Sequence, residues 1–117
     1  MERKNPNSSS LSVSESVVAS IANLAASEVN GVCEMAQAPI DFKSVLARKD
    51  MPKSVRIEIK NEVAHIDVYV KLNDDAKIPE VAGEIQRRVK ESVQSMTSMI
   101  VSRVNVHITG VEVPEKE

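Results

Sequence analysis

From Ile78 onward, apolar residues fall at Val81, Ala82, Ile85, Val89, Val93, Met96 and Ile100, the three-and-four spacing that lines one face of a helix. Pro79 stands where a first turn tolerates proline, so the pattern predicts a long amphipathic helix starting there. A second such pattern lies upstream, with Val17, Val18, Ile21, Leu24, Ala25 and Val29 as its apolar positions. Ser14 is placed to cap it, while Ser12 with Glu15 offers a competing capping box, and Asn30-Gly31 supplies the stop. Leu11-Ser12-Val13 before this helix and Val32 to Met35 after it read as short strands.

Two stretches change period from 3.6 to 2. Val55, Ile57 and Ile59 alternate with Arg56, Glu58 and Lys60; then Ala64, Ile66, Val68, Val70 and Leu72 alternate with Val63, His65, Asp67, Tyr69 and Lys71. If Asn61-Glu62 is a two-residue turn, the hairpin register follows. Ile57 then faces Ile66 and Val55 faces Val68 on one side, with Arg56 opposite Asp67 and Glu58 opposite His65 on the other. Apolar meets apolar and opposite charges meet, so the register supports itself. A last strand from Arg103 to Val111 points Val104, Val106 and Ile108 inward and Asn105, His107 and Thr109 outward. The expected fold class is α+β: two main helices packed on one face of a small three- to four-stranded mixed or antiparallel sheet.

Residues 1–10, MERKNPNSSS, read as a disordered arm, residues 11–113 as a single domain and residues 114–117 as a tail. Between residues 36 and 53 both periods vanish, and Pro39 and Pro52 bracket a stretch that reads as a mobile loop. The chain of 117 residues has room for one core of ordinary size, and 42% apolar with 27% charged residues is a globular composition. No stretch approaches the roughly 18 continuous apolar residues of a membrane span, and no secretory signal follows the charged start. A net charge of −2 and 2% aromatic residues, Phe42 and Tyr69, disfavour nucleic-acid binding, which needs basic clusters and stacking platforms.

Candidate chemistry is sparse. His65, Asp67 and His107 form a metal-ligand set on paper, but cross-strand pairing with Glu58 and Arg56 is the simpler reading and no ligand spacing signature exists. Cys33 is a lone cysteine, fits a reducing compartment and reads as a small core residue ahead of a nucleophile. Asp74-Asp75 precedes the long helix, where carboxylates complement the dipole. Arg87, Arg88 and Lys90 make a small basic cluster, partly absorbed by Glu84–Arg88 and Arg87–Glu91 pairs four residues apart. The glycines Gly31, Gly83 and Gly110 are isolated, so no phosphate loop forms. No catalytic residue, cofactor or metal site is expected.

The segments VSESVVASIANLAASEVNGV, VRIEIKNEVAHIDVYVKL and IPEVAGEIQRRVKESVQSMTS with VSRVNVHITGVEV resemble the alkaline shock protein family, also called the envelope stress response family, of Gram-positive bacteria. The likeness runs from about Leu11 to Val113. It implies a cytoplasmic, non-enzymatic α+β protein of cell-envelope homeostasis, held at the membrane in some relatives by a separate membrane partner and linked in others to lipid synthesis. The family carries no catalytic residues to transfer. Two departures stand out. Relatives usually place a glycine after the Met-Thr pair, where this chain has Ser98, so the helix is expected to run on through Met99 and Ile100. A glycine-rich segment of relatives is replaced by AQAPIDFKSVLARKD.

The expected function is therefore that of a scaffold or interaction protein working through a protein partner and through self-association. The expected surface is Val63, His65, Asp67, Tyr69 and His107 on the sheet, with Arg87 and Arg88 on the helix. The rivals are a regulator of a metabolic enzyme such as one of lipid synthesis, and a module resembling KH domains, which the absence of a GXXG loop disfavours.

Overall fold

The computed structural model describes residues 15–37 and 52–113. The expected arm, the 11–13 strand, the caps at Ser12 and Ser14, most of the 36–53 loop and the tail lie outside them. The elements run α1 (Glu15–Ser27), β1 (Val32–Met35), β2 (Val55–Lys60), β3 (Val63–Asn73), α2 (Ile78–Thr97) and β4 (Ile100–Glu112). Both helices cover one face of a mixed sheet, the α+β architecture that the two periods imply.

Strand β3 is the centre of that sheet. β2 pairs with it antiparallel in the expected register, Val55 to Val68, Arg56 to Asp67, Ile57 to Ile66 and Glu58 to His65. The turn is made by Asn61 and Glu62 at φ 52° and 66°, the two positive values of a type I′ hairpin. β1 pairs antiparallel with residues 70–72 of β3, and β4 lies parallel along the other side. β1 and β2 thus sit end to end on one flank. Tyr69 joins them: its carbonyl accepts from the Ala36 amide at 2.8 Å and its amide donates to the Ser54 carbonyl at 2.9 Å.

The core lies between the sheet and the helices: Ala64, Ile66, Val68, Val70 and Leu72 of β3 meet Val81, Ile85, Val89 and Val93 of α2. For α1 the expected face is corrected. Val18, Ala25 and Val29 are buried and Ile21 is partly so, but Val17 and Leu24 are 46% and 58% exposed. Ala19, Ala22 and Ala26 take the interior instead, because small side chains let α1 approach α2 and β2 closely. The helix also stops at Ser27, ahead of Asn30-Gly31. Gly31 serves the following turn at φ 102°, where its carbonyl accepts from the Asn73 amide at 2.8 Å.

The end of α2 is the second correction. The helix does not continue through Met99 and Ile100; Ser98 takes a left-handed cap at φ 64° and Ile100 already belongs to β4. Neighbouring groups hold that cap. The Ser98 amide donates to the Gln94 carbonyl at 3.3 Å, the Thr97 hydroxyl accepts from the Met99 amide at 3.1 Å, and the Gln94 side-chain oxygen accepts from the Val101 amide at 3.0 Å. These bonds offset the order of 1 kcal/mol that a left-handed serine costs. Met96 and Ile100 leave the buried stripe and stand 69% and 60% exposed.

Candidate interaction surface

On a strand whose even positions are buried, the odd ones must face away from the helices. β3 therefore presents Val63, His65, Asp67, Tyr69 and Lys71, all half-buried, on the face of the sheet opposite the two helices. β4 runs parallel beside it and places Arg103 next to His65, Asn105 next to Asp67 and His107 next to Tyr69. From the sequence, His107 could have lain several strands away; the crossover through α2 makes it an immediate neighbour.

These side chains order one another. Asp67 Oδ1 accepts from Asn105 Nδ2 at 3.0 Å and lies 3.0 Å from His107 Nε2. The His107 ring stacks on Tyr69, with centroids 4.4 Å apart and planes 11° from parallel. His65 Nδ1 is 3.2 Å from the Ser102 hydroxyl. The expected β2 register, Arg56 opposite Asp67 and Glu58 opposite His65, is present, and β4 adds Asn105 and His107 to Asp67 and Ser102 to His65. Among the described residues, no three His, Cys, Asp or Glu side chains are grouped to hold a metal ion.

Beyond this set, Lys71 lies 3.1 Å from Glu112 and 3.4 Å from Glu34. The hydrogen bond and charge of Glu112, then those of Glu34, hold its ammonium above the ordinary range. Cys33 is not a core residue: it is half-buried, its Sγ 3.8 Å from Glu112 Oε1. Desolvation first, then the charges of Glu112 and Glu34, push its thiol up, the opposite of what a nucleophile needs.

Arg87 and Arg88 sit on the far layer, on the exposed side of α2, and do not join the sheet-face residues. The four-residue pairs are present, Arg88 Nε to Glu84 at 2.9 Å and Arg87 to Glu91 at 3.1 Å, and Arg87 also binds Glu84. Hydrogen bonds from Arg87 and Arg88 hold the Glu84 carboxyl below the usual range. Asp74 and Asp75 are exposed before α2. The helix N-cap itself, Lys77, makes no side-chain cap bond.

The sequence and this fold meet in the comparison with known proteins. The model of the alkaline shock protein 23 family, described as having a cell envelope-related function, matches residues 3–113. This chain belongs to that family. Among alkaline shock family relatives, the uncharacterised protein YqhY of Bacillus subtilis is 27% identical over 117 residues, 99% of this chain and 87% of that protein. YloU of the same organism, also uncharacterised, is 30% identical over 106 residues, 88% of each. Among solved structures, a variant of the MamM C-terminal domain aligns with TM-score 0.53 at 16% identity, covering 85% of this chain and 100% of that one. A nickel form of another MamM variant aligns at TM-score 0.51 and 16% identity, over 82% of this chain and 98% of that one. At such identity the likeness shows a shared fold. No helix among the described residues is long and apolar enough to cross a membrane.

Proposed function

We propose that this alkaline shock family protein is a non-enzymatic interaction protein of cell-envelope homeostasis, and that it acts by docking a protein partner on the sheet face opposite the helices and by self-association. The single observation that carries this reading is the Tyr69–His107–Asp67–Asn105 set, a part-exposed aromatic stack with hydrogen-bonded polar neighbours on the face that neither helix covers. An aromatic surface ordered before binding is the kind of anchor a partner uses, because little side-chain freedom remains to be lost. The family's cell envelope-related description supports the setting. Val63 and His65 extend the face toward the hairpin, and a partner tethered to the membrane would bring the protein there. Arg87 and Arg88 belong to a separate surface on α2.

The test is a cross-linking pull-down from the native cell with two baits, the natural chain and a Tyr69→Ala/His107→Ala variant. A protein captured by the first and lost from the second supports the reading. Identical captures from both baits, with the variant folded, overturn it.

A further inference from the structure

Among the described residues β4 pairs only with β3 and is an edge strand, and the backbone register shows what that edge presents. Tyr69 turns its amide and carbonyl toward β1 and β2, so the odd residues of β3 face that flank and the even residues face β4. In a parallel ladder, a residue facing its neighbour bonds to the positions on either side of its Cα partner, and the partner itself points away. The partners of Ala64, Ile66, Val68, Val70 and Leu72 are Val101, Val104, Val106, Ile108 and Val111. Those five therefore direct their amides and carbonyls outward from the sheet. Two of them confirm it through α2: Val101 donates to the Gln94 side chain at 3.0 Å, and the Val104 carbonyl accepts from Gln86 Nε2 at 3.1 Å.

The spacing of these five positions is symmetric about Val106. The ladder slips by one residue between Val101 and Arg103 and again between Ile108 and Gly110. A bulge on one side alone would destroy any self-pairing register, as bulges at protected edges usually do. Here each slip falls inside a three-residue step between outward-facing positions, Val101 to Val104 on one side and Ile108 to Val111 on the other. These steps mirror each other about Val106, so a two-fold axis there maps Val101 onto Val111 and Val104 onto Ile108. Val106 is also the midpoint of the strand Ile100–Glu112.

We infer that a second copy of this chain pairs antiparallel with the outer edge of β4 about a two-fold axis at Val106, joining two sheets into one. The register is self-complementary in side chains as well. On the helix face, Val104 meets Ile108 of the other copy and Val106 meets its own equivalent. On the open face, Asn105 meets His107 and Arg103 meets Thr109, with no like charges opposed. Ser102 meets Gly110, where no side chain intrudes. At the strand ends, Ile100 and Met96 of one copy come near Val111 and Val113 of the other, all more than half exposed in the single chain at 60%, 69%, 52% and 71%. The Gln86 bond leaves the second lone pair of the Val104 carbonyl open, so the central pairs form without displacing it. The face opposite the helices, with both Tyr69–His107 stacks, would then be continuous across the dyad.

This inference rests on the self-association part of the proposed function and is tested on the full chain by light scattering over a wide concentration range. The natural chain is expected to reach twice the single-chain mass. Val106→Pro is expected to return it to the single-chain mass with an unchanged circular dichroism spectrum, because the amide it removes makes no bond to β3 and proline is accepted on edge strands. In a Cys33→Ser background, Val106→Cys is expected to form an oxidised dimer, since facing Cα atoms lie about 5.5 Å apart in a hydrogen-bonded antiparallel pair, within disulfide reach. A natural chain that stays single overturns both this inference and self-association. A dimer that survives Val106→Pro and does not cross-link through Val106→Cys overturns the β4 edge alone.

Discussion

The Tyr69 ring lies flat against the His107 imidazole, 4.4 Å away on the adjacent parallel strand, while His107 Nε2 reaches back to Asp67. The relationship fixes the tyrosine's rotamer from one side and the histidine's from two. Tyr69 is the one tyrosine of a chain without tryptophan, so it is its own spectroscopic reporter. His107→Ala is expected to abolish the near-ultraviolet dichroism of Tyr69 while far-ultraviolet dichroism is retained. The loss of stability should be small, about 0.5 kcal/mol in urea denaturation, because the pair is partly solvated.

Ser98 sits at φ 64° with its side chain exposed. Glycine adopts this conformation without a Cβ clash, so Ser98→Gly should raise stability by about 0.5–1 kcal/mol, visible as a higher denaturant midpoint at unchanged slope. An unchanged or lower midpoint would mean that the Thr97 and Gln94 side-chain bonds, and not backbone strain, set the energetics of this junction.

Gly31 makes the reverse case. Its φ is 102°, and a Cβ added there would stand 2.7 Å from Val81 Cγ2, a buried side chain of α2. Gly31→Ala therefore combines a strained backbone with overpacking and is expected to cost about 2 kcal/mol or more in chemical denaturation. Gly83→Ala, where a Cβ meets nothing within 4 Å, is the control and should be neutral or mildly stabilising.

The Glu84 carboxyl is held below its ordinary value of 4.5 by hydrogen bonds from Arg87 and Arg88. A carboxyl whose folded value is depressed contributes stability above its unfolded value and loses it as pH falls through the folded one. Thermal stability should thus fall as pH is lowered from 4.5, and Glu84→Gln should flatten part of that slope while slightly lowering stability at pH 7. The partners are exposed, so the neutral-pH change should be small and shrink further in salt.

How much of this was legible in the chain differs from one element to the next. The β2–β3 hairpin was readable to the residue, because a period of two and a turn of two residues leave only one register that buries Ile57 and Ile66 together. The length of α2 was nearly readable, but its end was not. The apolar spacing continues through Met96 to Ile100, and nothing local shows that Thr97 and Gln94 will stabilise a left-handed serine between them. In α1 the large residues Val17 and Leu24 drew the expected face toward themselves, whereas the interior belongs to Ala19, Ala22 and Ala26.

The interaction surface divides in the same way. That His65, Asp67 and Tyr69 share one side of a strand follows from alternation alone. That His107 joins them follows only from the return of the chain through α2. Asp67 and His107 are 40 residues apart, and no local propensity specifies which flank of β3 the last strand will occupy. Period, turn chemistry and motif, all short-range properties, specified the two helices up to their ends, the strands of the hairpin and its register, and the family. The tertiary structure alone decided the Tyr69–His107 stack, the burial of alanines in place of larger residues on α1, and the mirrored edge of β4. Each of these depends on which surfaces pack together, and packing is settled by the whole core at once.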